Sequence, residues 1–238
     1  MKNNYVIPVL ALGIALAPAA SAELLWQDFS LTYVGAEDYE LMANESGQVI
    51  TVDHASGHSW GDTYFFMDHY DFVGKTSKYF EFAPRLSLGK LSGRDLSFGP
   101  VKDVLISTNW ESGNGFDNYM YGVGLSLDIP GFNYLDINFY AVENDSVEDD
   151  EMLTLVWGYP FTIGTADFLY DGFVDWSTEQ GDHASEMNFT SQLKWNLGKH
   201  LGFKAPLYVG MEYAHWTNKF GVDGVDERNP GLLVRWHF

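Results

Sequence analysis

Apolar and polar positions alternate with period two along most of this chain. From Phe132 to Val142, Leu135, Ile137, Phe139 and Ala141 fall on one face and Asp136, Asn138 and Tyr140 on the other, the spacing of a strand with one apolar side. Asn118 to Asp128 repeats the pattern, with Tyr119, Tyr121, Val123, Leu125 and Leu127 opposite Asn118, Gly122, Gly124, Ser126 and Asp128. That second face is too small and too polar for a core. Twelve such segments are predicted, at about 26–36, 48–55, 61–71, 79–90, 101–111, 118–128, 132–142, 152–161, 167–176, 187–197, 207–217 and 231–238. Each is near the ~9–11 residues that a tilted strand needs to cross a bilayer.

The linkers alternate in character. Longer, acidic and Gly/Asn-rich stretches at 37–47, 72–78, 112–117, 143–151, 177–186 and 218–230 are expected at one end, and mostly shorter ones at 56–60, 91–100, 129–131, 162–166 and 198–206 at the other. An even strand number with both termini at the turn end is the layout of an outer-membrane barrel. Such a barrel also needs aromatic girdles on its lipid face. Tyr33, Trp110, Tyr119, Trp157, Trp176, Trp195, Tyr213 and Trp236 fall on the apolar parity, mostly near strand ends. A secreted β-sandwich shows similar one-sided alternation. The Gly- and Asp-rich second face argues against it, since a sandwich carries such polarity in loops rather than on whole faces. The last residues, Leu233-Val234-Arg235-Trp236-His237-Phe238, alternate to a terminal aromatic, which resembles the assembly signal of Gram-negative outer-membrane barrels. The expected fold is therefore an all-β, twelve-stranded antiparallel transmembrane barrel over 23–238.

The first 22 residues read as an export leader. Lys2 precedes an apolar run from Val6 to Ala20, and Ala20-Ser21-Ala22 presents the small residues of a cleavage site. As a helical anchor the run is too short, and Pro8, Gly13 and Pro18 interrupt it. Beyond it, the longest uncharged stretch, Met152 to Ala166, is broken by Gly158 and Pro160, so a helical membrane protein is excluded. The chain of 238 residues holds no cysteine, which rules out thiol catalysis and Cys-ligated zinc and suits an oxidising compartment. A formal charge of -20 repels polyphosphates, so nucleic acid is not an expected partner.

Two segments make the reading more specific. Pro84-Arg85-Leu86-Ser87-Leu88-Gly89-Lys90-Leu91, followed by Asp95-Leu96-Ser97-Phe98-Gly99-Pro100-Val101-Lys102, resembles the fourth-strand and turn signature of the nucleoside-specific channel family, Tsx. Leu127-Asp128-Ile129-Pro130-Gly131-Phe132 and Glu212-Tyr213-Ala214-His215-Trp216-Thr217-Asn218-Lys219-Phe220-Gly221 are more similar to its OmpK branch. The resemblance covers essentially the mature chain. It implies a monomeric barrel in the outer membrane of a Gram-negative bacterium, surrounded by lipid and lipopolysaccharide, that admits nucleosides. It also implies surface loops used as bacteriophage receptors. The family's nucleoside-contact residues are not carried over to positions here.

Parity gives the lumen instead. With the apolar face toward lipid, the expected substrate-binding wall includes Tyr64, Phe66, Asp68, Tyr79, Arg85, Asn109, Asn138, Phe173, Gln192, Lys194, Trp216 and Arg235. Tyr64, Phe66, Tyr79, Phe173 and Trp216 offer ring faces to a base, and Asp68, Asn109, Asn138 and Gln192 offer partners to ribose hydroxyls. An acidic lumen disfavours nucleotides and admits neutral nucleosides. The simpler reading of Arg85, Lys194 and Arg235 is that they bridge lumen carboxylates and hold the barrel's shape.

No enzyme is expected. Asp53, His54 and Ser56 are neighbours in sequence without a G-x-S-x-G context. His54 and His58 flank a Ser56-Gly57 turn, where a four-residue spacing does not mark a metal site. The acidic run Glu143 to Glu151 lacks the spacing and central glycine of a calcium hand, so neither metal nor cofactor is assigned. Two functions of different class remain: a channel for selective diffusion of nucleosides or similar small polar solutes, or a surface-interaction protein, a phage receptor or adhesin, whose barrel only displays loops.

Overall fold

The structure, a computed structural model, describes residues 22–42, 45–72 and 75–238. All of the expected leader except Ala22 lies outside the described residues. Twelve strands run in chain order: β1 (Leu24–Ala36), β2 (Gly47–His58), β3 (Gly61–Phe72), β4 (Lys75–Ser87), β5 (Val101–Gly113), β6 (Phe116–Leu127), β7 (Tyr134–Glu143), β8 (Asp150–Ile163), β9 (Ala166–Ser177), β10 (Met187–Asn196), β11 (Leu207–Thr217) and β12 (Glu227–His237). Each pairs antiparallel with its chain neighbours, and β12 returns to β1 to close the barrel. The seam runs in register from Ser30 opposite His237 to Ala36 opposite Gly231. Beyond β12 the Phe238 amide still donates to the Phe29 carbonyl at 3.0 Å. Closure leaves no open sheet edge, the condition for a β-structure to stand in lipid.

Each expected segment is a strand, and the differences lie at the ends. The fourth begins at Lys75 and stops at Ser87, where the chain turns into a short helix, α1 (Leu88–Ser92). Ser87 Oγ caps that helix by accepting from the Lys90 amide at 3.0 Å, and Gly93 ends it at φ +63°; a side-chain cap and a left-handed glycine bound the helix locally. Asn196 and Gly202 do the same for α2 (Leu197–Leu201). Two of the expected long loops are not loops. Phe72 pairs with Lys75 and Gly113 with Phe116, so 72–78 and 112–117 are mostly strand. Cross-strand pairing extended into both segments despite their polar composition. With helices on the side of the chain ends and tight hairpins opposite, loop length alone does not orient the barrel.

Register carries the two faces around the wall. Asn138 stands opposite Thr154, Thr154 opposite Asp175, Asp175 opposite Asn188, and Asn188 opposite Trp216; opposed residues share a face. The outward face is a band of exposed Val123, Phe139, Leu193, Met211 and Leu232. The buried residues are inside, and they are not all polar. Val34, Leu105, Met120, Val142 and Leu233 are buried on the inner side of the wall, so the polar lumen is interrupted by apolar patches. Met120 packs with Tyr140, Val142 and Met152. The small residues of β6 make room for this: a Cβ on Gly124 would come within 2.7 Å of Asn138 Oδ1.

Trp157 follows the outward parity yet is only 6% exposed. It stands opposite Gly172, whose missing side chain leaves a notch, and Tyr170 and Phe189 flank the indole at 5.9 and 5.6 Å. Pro84, mid-strand in β4, has no amide to give β5, and Thr108 Oγ1 donates to its carbonyl at 2.8 Å.

A Cβ on Gly122 would fall 1.8 Å from the Phe139 carbonyl oxygen, so the backbones of β6 and β7 approach as only glycine permits. Gly122→Ala should cost about 1–3 kcal/mol through overpacking, read as a lower urea midpoint of the refolded barrel in detergent. An unchanged midpoint would show that the two strands part freely.

Candidate functional site: the barrel lumen

In the half of the lumen nearer the chain ends, every cation is paired. Arg85 on β4 grips Asp62 on β3 with two hydrogen bonds of 2.7 and 2.9 Å and reaches Asp136 on β7 at 3.3 Å. Arg235 on β12 binds Thr32 Oγ1 at 2.7 Å and both oxygens of Asp53 at 3.0 and 2.9 Å. Lys194 on β10, fully buried, donates to Asp171 Oδ2 at 2.6 Å and Gln192 Oε1 at 3.0 Å. Gln192 in turn donates to Glu212 at 2.7 Å. Arg85 with Asp62, Arg235 with Thr32 and Gln192 with Glu212 stand directly opposite on neighbouring strands, and Lys194 with Asp171 diagonally, whereas Asp136 and Asp53 reach Arg85 and Arg235 from strands farther round the wall.

Farther from the chain ends, Asp68, Glu81 and Asp175 accept hydrogen bonds from neutral partners. Asp68 accepts from Thr51 at 2.5 Å and from Tyr70 at 2.9 Å. Glu81 accepts from Tyr79 at 2.6 Å and Asn109 at 2.7 Å, and Asp175 from Thr154 at 2.6 Å. Glu81, Glu111 and Asp175 lie within electrostatic reach of one another, and among the described residues none of them holds a lysine or arginine. The lumen is thus charge-compensated at one end and uncompensated and anionic toward the other.

Aromatic rings line part of the same wall. Tyr64 and Phe66 are 5.9 Å apart, Phe66 and Tyr79 5.8 Å, and Tyr79 and Phe116 6.3 Å. Tyr64 points inward yet is 40% exposed, as is Tyr134 at 41%, and that exposure is to space inside the barrel. Phe173 stands opposite Val156 and Thr190 and, among the described residues, touches no other ring. Asn138 is buried and accepts from Ser107 Oγ at 2.9 Å. Trp216 sits at the rim, its ring edge-on to Phe220 at 5.2 Å and under the Lys219 ammonium at 5.4 Å. That ammonium also lies against Tyr39 and pairs with buried Glu227. Burial pushes the Lys219 pKa down, while Glu227 opposes the shift. All twelve expected lumen residues follow the inward parity, but Trp216 belongs to this rim cluster rather than to the open bore.

The sequence reading missed four inward groups. Tyr134 and Glu111 lie on the parity already assigned to Asp136 and Asn109 and needed only its extension. Asp53, mid-strand in β2, and His237, at the end of β12, lay on the inward parity but were not assigned to the lumen; Asp53 anchors Arg235, and His237 Nδ1 contacts Asp28 at 2.8 Å. The neighbours Asp53 and His54 fall on opposite faces of β2, with His54 opposite outward Phe29 and Phe65. No acid–histidine–serine relay can form from them. Ser56 Oγ instead contacts Thr63 at 2.7 Å and His58 Nε2 at 3.0 Å.

A closed barrel with a lipid-facing apolar band and a polar lumen defines an outer-membrane channel protein of the porin type. The chain belongs to the family of the nucleoside-specific channel-forming protein, Tsx, whose sequence profile matches residues 22–232. Outer membrane protein OmpK of Vibrio parahaemolyticus is 25% identical over 94% of this chain and 96% of its own length. The nucleoside-specific channel-forming protein Tsx of Klebsiella aerogenes is 26% identical over 66% of this chain and 62% of its own. Among solved structures the KdgM porin superposes with a TM-score of 0.55 at 9% identity, covering 89% of this chain and 99% of that one, a likeness of fold. The chain is accordingly an outer-membrane protein of a Gram-negative bacterium, related to the OmpK branch.

Lys194→Met removes the ammonium and leaves Asp171 buried without its closest partner, which should cost about 3–5 kcal/mol. Lys194→Met combined with Asp171→Leu should recover most of that loss. Urea midpoints of the single and double variants measure both effects; equal midpoints for wild type and Lys194→Met would show that the pair holds nothing together.

Proposed function

We propose that this barrel is a selective diffusion channel for nucleosides or closely similar small polar solutes. The observation that carries the reading is the row Tyr64, Phe66 and Tyr79, with ring centroids 5.8 to 5.9 Å apart, beside the hydrogen-bonding groups of Asp68, Glu81 and Asn109. A base has a ring face to stack on, worth ~1–3 kcal/mol per contact, and its ribose hydroxyls have acceptors nearby. Membership of a family described as nucleoside-specific supports the same substrate class. Phe173, Asn138 and Gln192 extend this lining, while Arg85, Lys194 and Arg235, each tied to a carboxylate, act chiefly by fixing the bore. Closure within one chain supports a monomer.

The uncompensated carboxylates of the far half add charge selection. Phosphorylated solutes meet Asp68, Glu81, Glu111 and Asp175 before any free cation, so nucleotides are excluded while neutral nucleosides pass. Rim segments displayed by the barrel also offer a fixed surface to a bacteriophage, with Lys219 held between Tyr39, Trp216 and Phe220. That role is tested by replacing 37–46, 144–149, 178–186 and 218–226 together and measuring adsorption with the barrel still present.

In single-channel recordings with a nucleoside titration, Phe66→Ala and Phe173→Ala should each weaken block by about 1–3 kcal/mol, the value of one base–ring stack, with ion conductance similar or larger. Phe139→Ala, on the lipid face, should leave affinity unchanged. Equal affinity in wild type and both lumen variants would reject stacking in the bore. Separately, Glu81→Gln with Asp175→Asn should lower the cation-to-anion permeability ratio read from reversal potentials in a salt gradient, and an unchanged ratio would place the selectivity elsewhere.

A further inference from the structure

Charged side chains are rare among the outward positions of the mid-strand band, and one unpaired pair stands just beyond an aromatic girdle. The outward positions run Phe65, Met67, His69, Asp71 along β3 and Thr76, Lys78, Phe80, Phe82 along β4. His69 stands directly opposite Lys78, and Met67 opposite Phe80. Phe80 belongs to a chain of outward rings, edge-on to Trp110 at 4.8 Å, with Trp110 stacked on Tyr119 at 6.3 Å. Lys78 is one outward position beyond that girdle, on the side away from the chain ends. A lysine on the lipid face is costly at the midplane and nearly free at the interface, so this position belongs at headgroup level.

The pair is also unsatisfied. Lys78 is exposed, and among the described residues neither it nor His69 has a hydrogen bond, ion pair or ring contact. The chain has 33 acidic side chains and only 13 lysines and arginines; six of the described cations, Arg85, Lys194, Lys199, Lys219, Arg228 and Arg235, hold a carboxylate, and Lys78 is among those that do not. The nearby acid, Asp71, accepts from Gln48 Nε2 at 3.2 Å instead of neutralising Lys78.

We infer that His69 and Lys78 form a phosphate-binding site for a phosphorylated glycolipid of the outer leaflet. The ammonium supplies charge and the imidazole N–H a directed bond from the adjacent strand. The Thr76 hydroxyl, exposed two residues from Lys78 on the same face, supplies a further donor to a phosphate monoester. With both chain ends at the inner rim, as in the outer-membrane barrel layout, the pair faces the outer leaflet, and charge complementarity chooses the occupant: an anionic group held at the polar boundary by its own acyl chains meets an unpaired cation on an otherwise acidic protein. This site is independent of what passes through the lumen.

The test uses the refolded barrel in neutral detergent, titrated with diphosphoryl lipid A, with the same lipid enzymatically dephosphorylated, and with inorganic phosphate, bound species being counted by native mass spectrometry. Wild type should bind diphosphoryl lipid A at least tenfold more tightly than the dephosphorylated lipid. His69→Gln with Lys78→Gln should erase that difference, and Lys78→Arg should keep it. Equal binding of the two lipids by wild type, or an unchanged preference in the double variant, overturns the proposal. Inorganic phosphate bound as tightly as the lipid overturns the lipid assignment. If the double variant does not fold, the wild-type comparison and the single Lys78→Gln variant decide.

Discussion

Everything in this protein depends on one constraint, that no backbone amide or carbonyl can be left unpaired in hydrocarbon, where each would cost several kcal/mol. The constraint is met only when β12 returns to β1, and the seam from Ser30–His237 to Ala36–Gly231 is where the chain's two ends must find each other. Side chains mark that seam on its inner face: Arg235 reaches across β1 to Asp53 on β2, and His237 contacts Asp28. At the far rim the Glu40 amide donates to Glu227 at 2.7 Å and the Asp38 amide to Asn229 at 3.1 Å, tying the first hairpin to the last strand. The contacts that finish the wall also set the shape of the bore.

Closure turns alternation into a sorting device. Once twelve strands share one register, every second side chain is in lipid and every other one is in the bore, and the acidic surplus has nowhere to go but the lumen and the rims. Charged pairs inside a wall offset one another's desolvation where both members are present, and are costly where one is missing. The half near the chain ends is of the matched kind. The other half keeps Glu81, Glu111 and Asp175 together without a cation, held by Tyr79, Asn109, Asn118 and Thr154. A bore built this way has a fixed, compensated section and a section whose field acts on solutes.

The lipid face obeys different economics of space. Rings sit where the wall meets headgroups, and Trp157 shows how far packing can override parity: it faces outward and is still nearly covered, because Gly172 leaves a notch for the indole and Tyr170 and Phe189 close around it. Outward charge is confined beyond the rings, as at Lys78, where an interface can solvate it.

The sequence by itself determined the strand count, the antiparallel wall and the inward or outward direction of nearly every side chain, because a period of two is a purely local property and register follows from it once one face must be apolar. The inward direction of Arg85, Lys194 and Arg235 was legible in this way. Their partners were not: Asp53 for Arg235 and Asp136 for Arg85 are brought close by shear and curvature, which alternation does not encode. Nor could composition show that 72–78 and 112–117 pair as strand, since hairpin length is settled by how far cross-strand bonds continue to outweigh loop entropy. Trp216 is the clearest case. Parity placed it in the lumen correctly, but only the tertiary fold, by bringing Lys219 over its ring and Phe220 against it at the rim, decided that it belongs to the rim cluster.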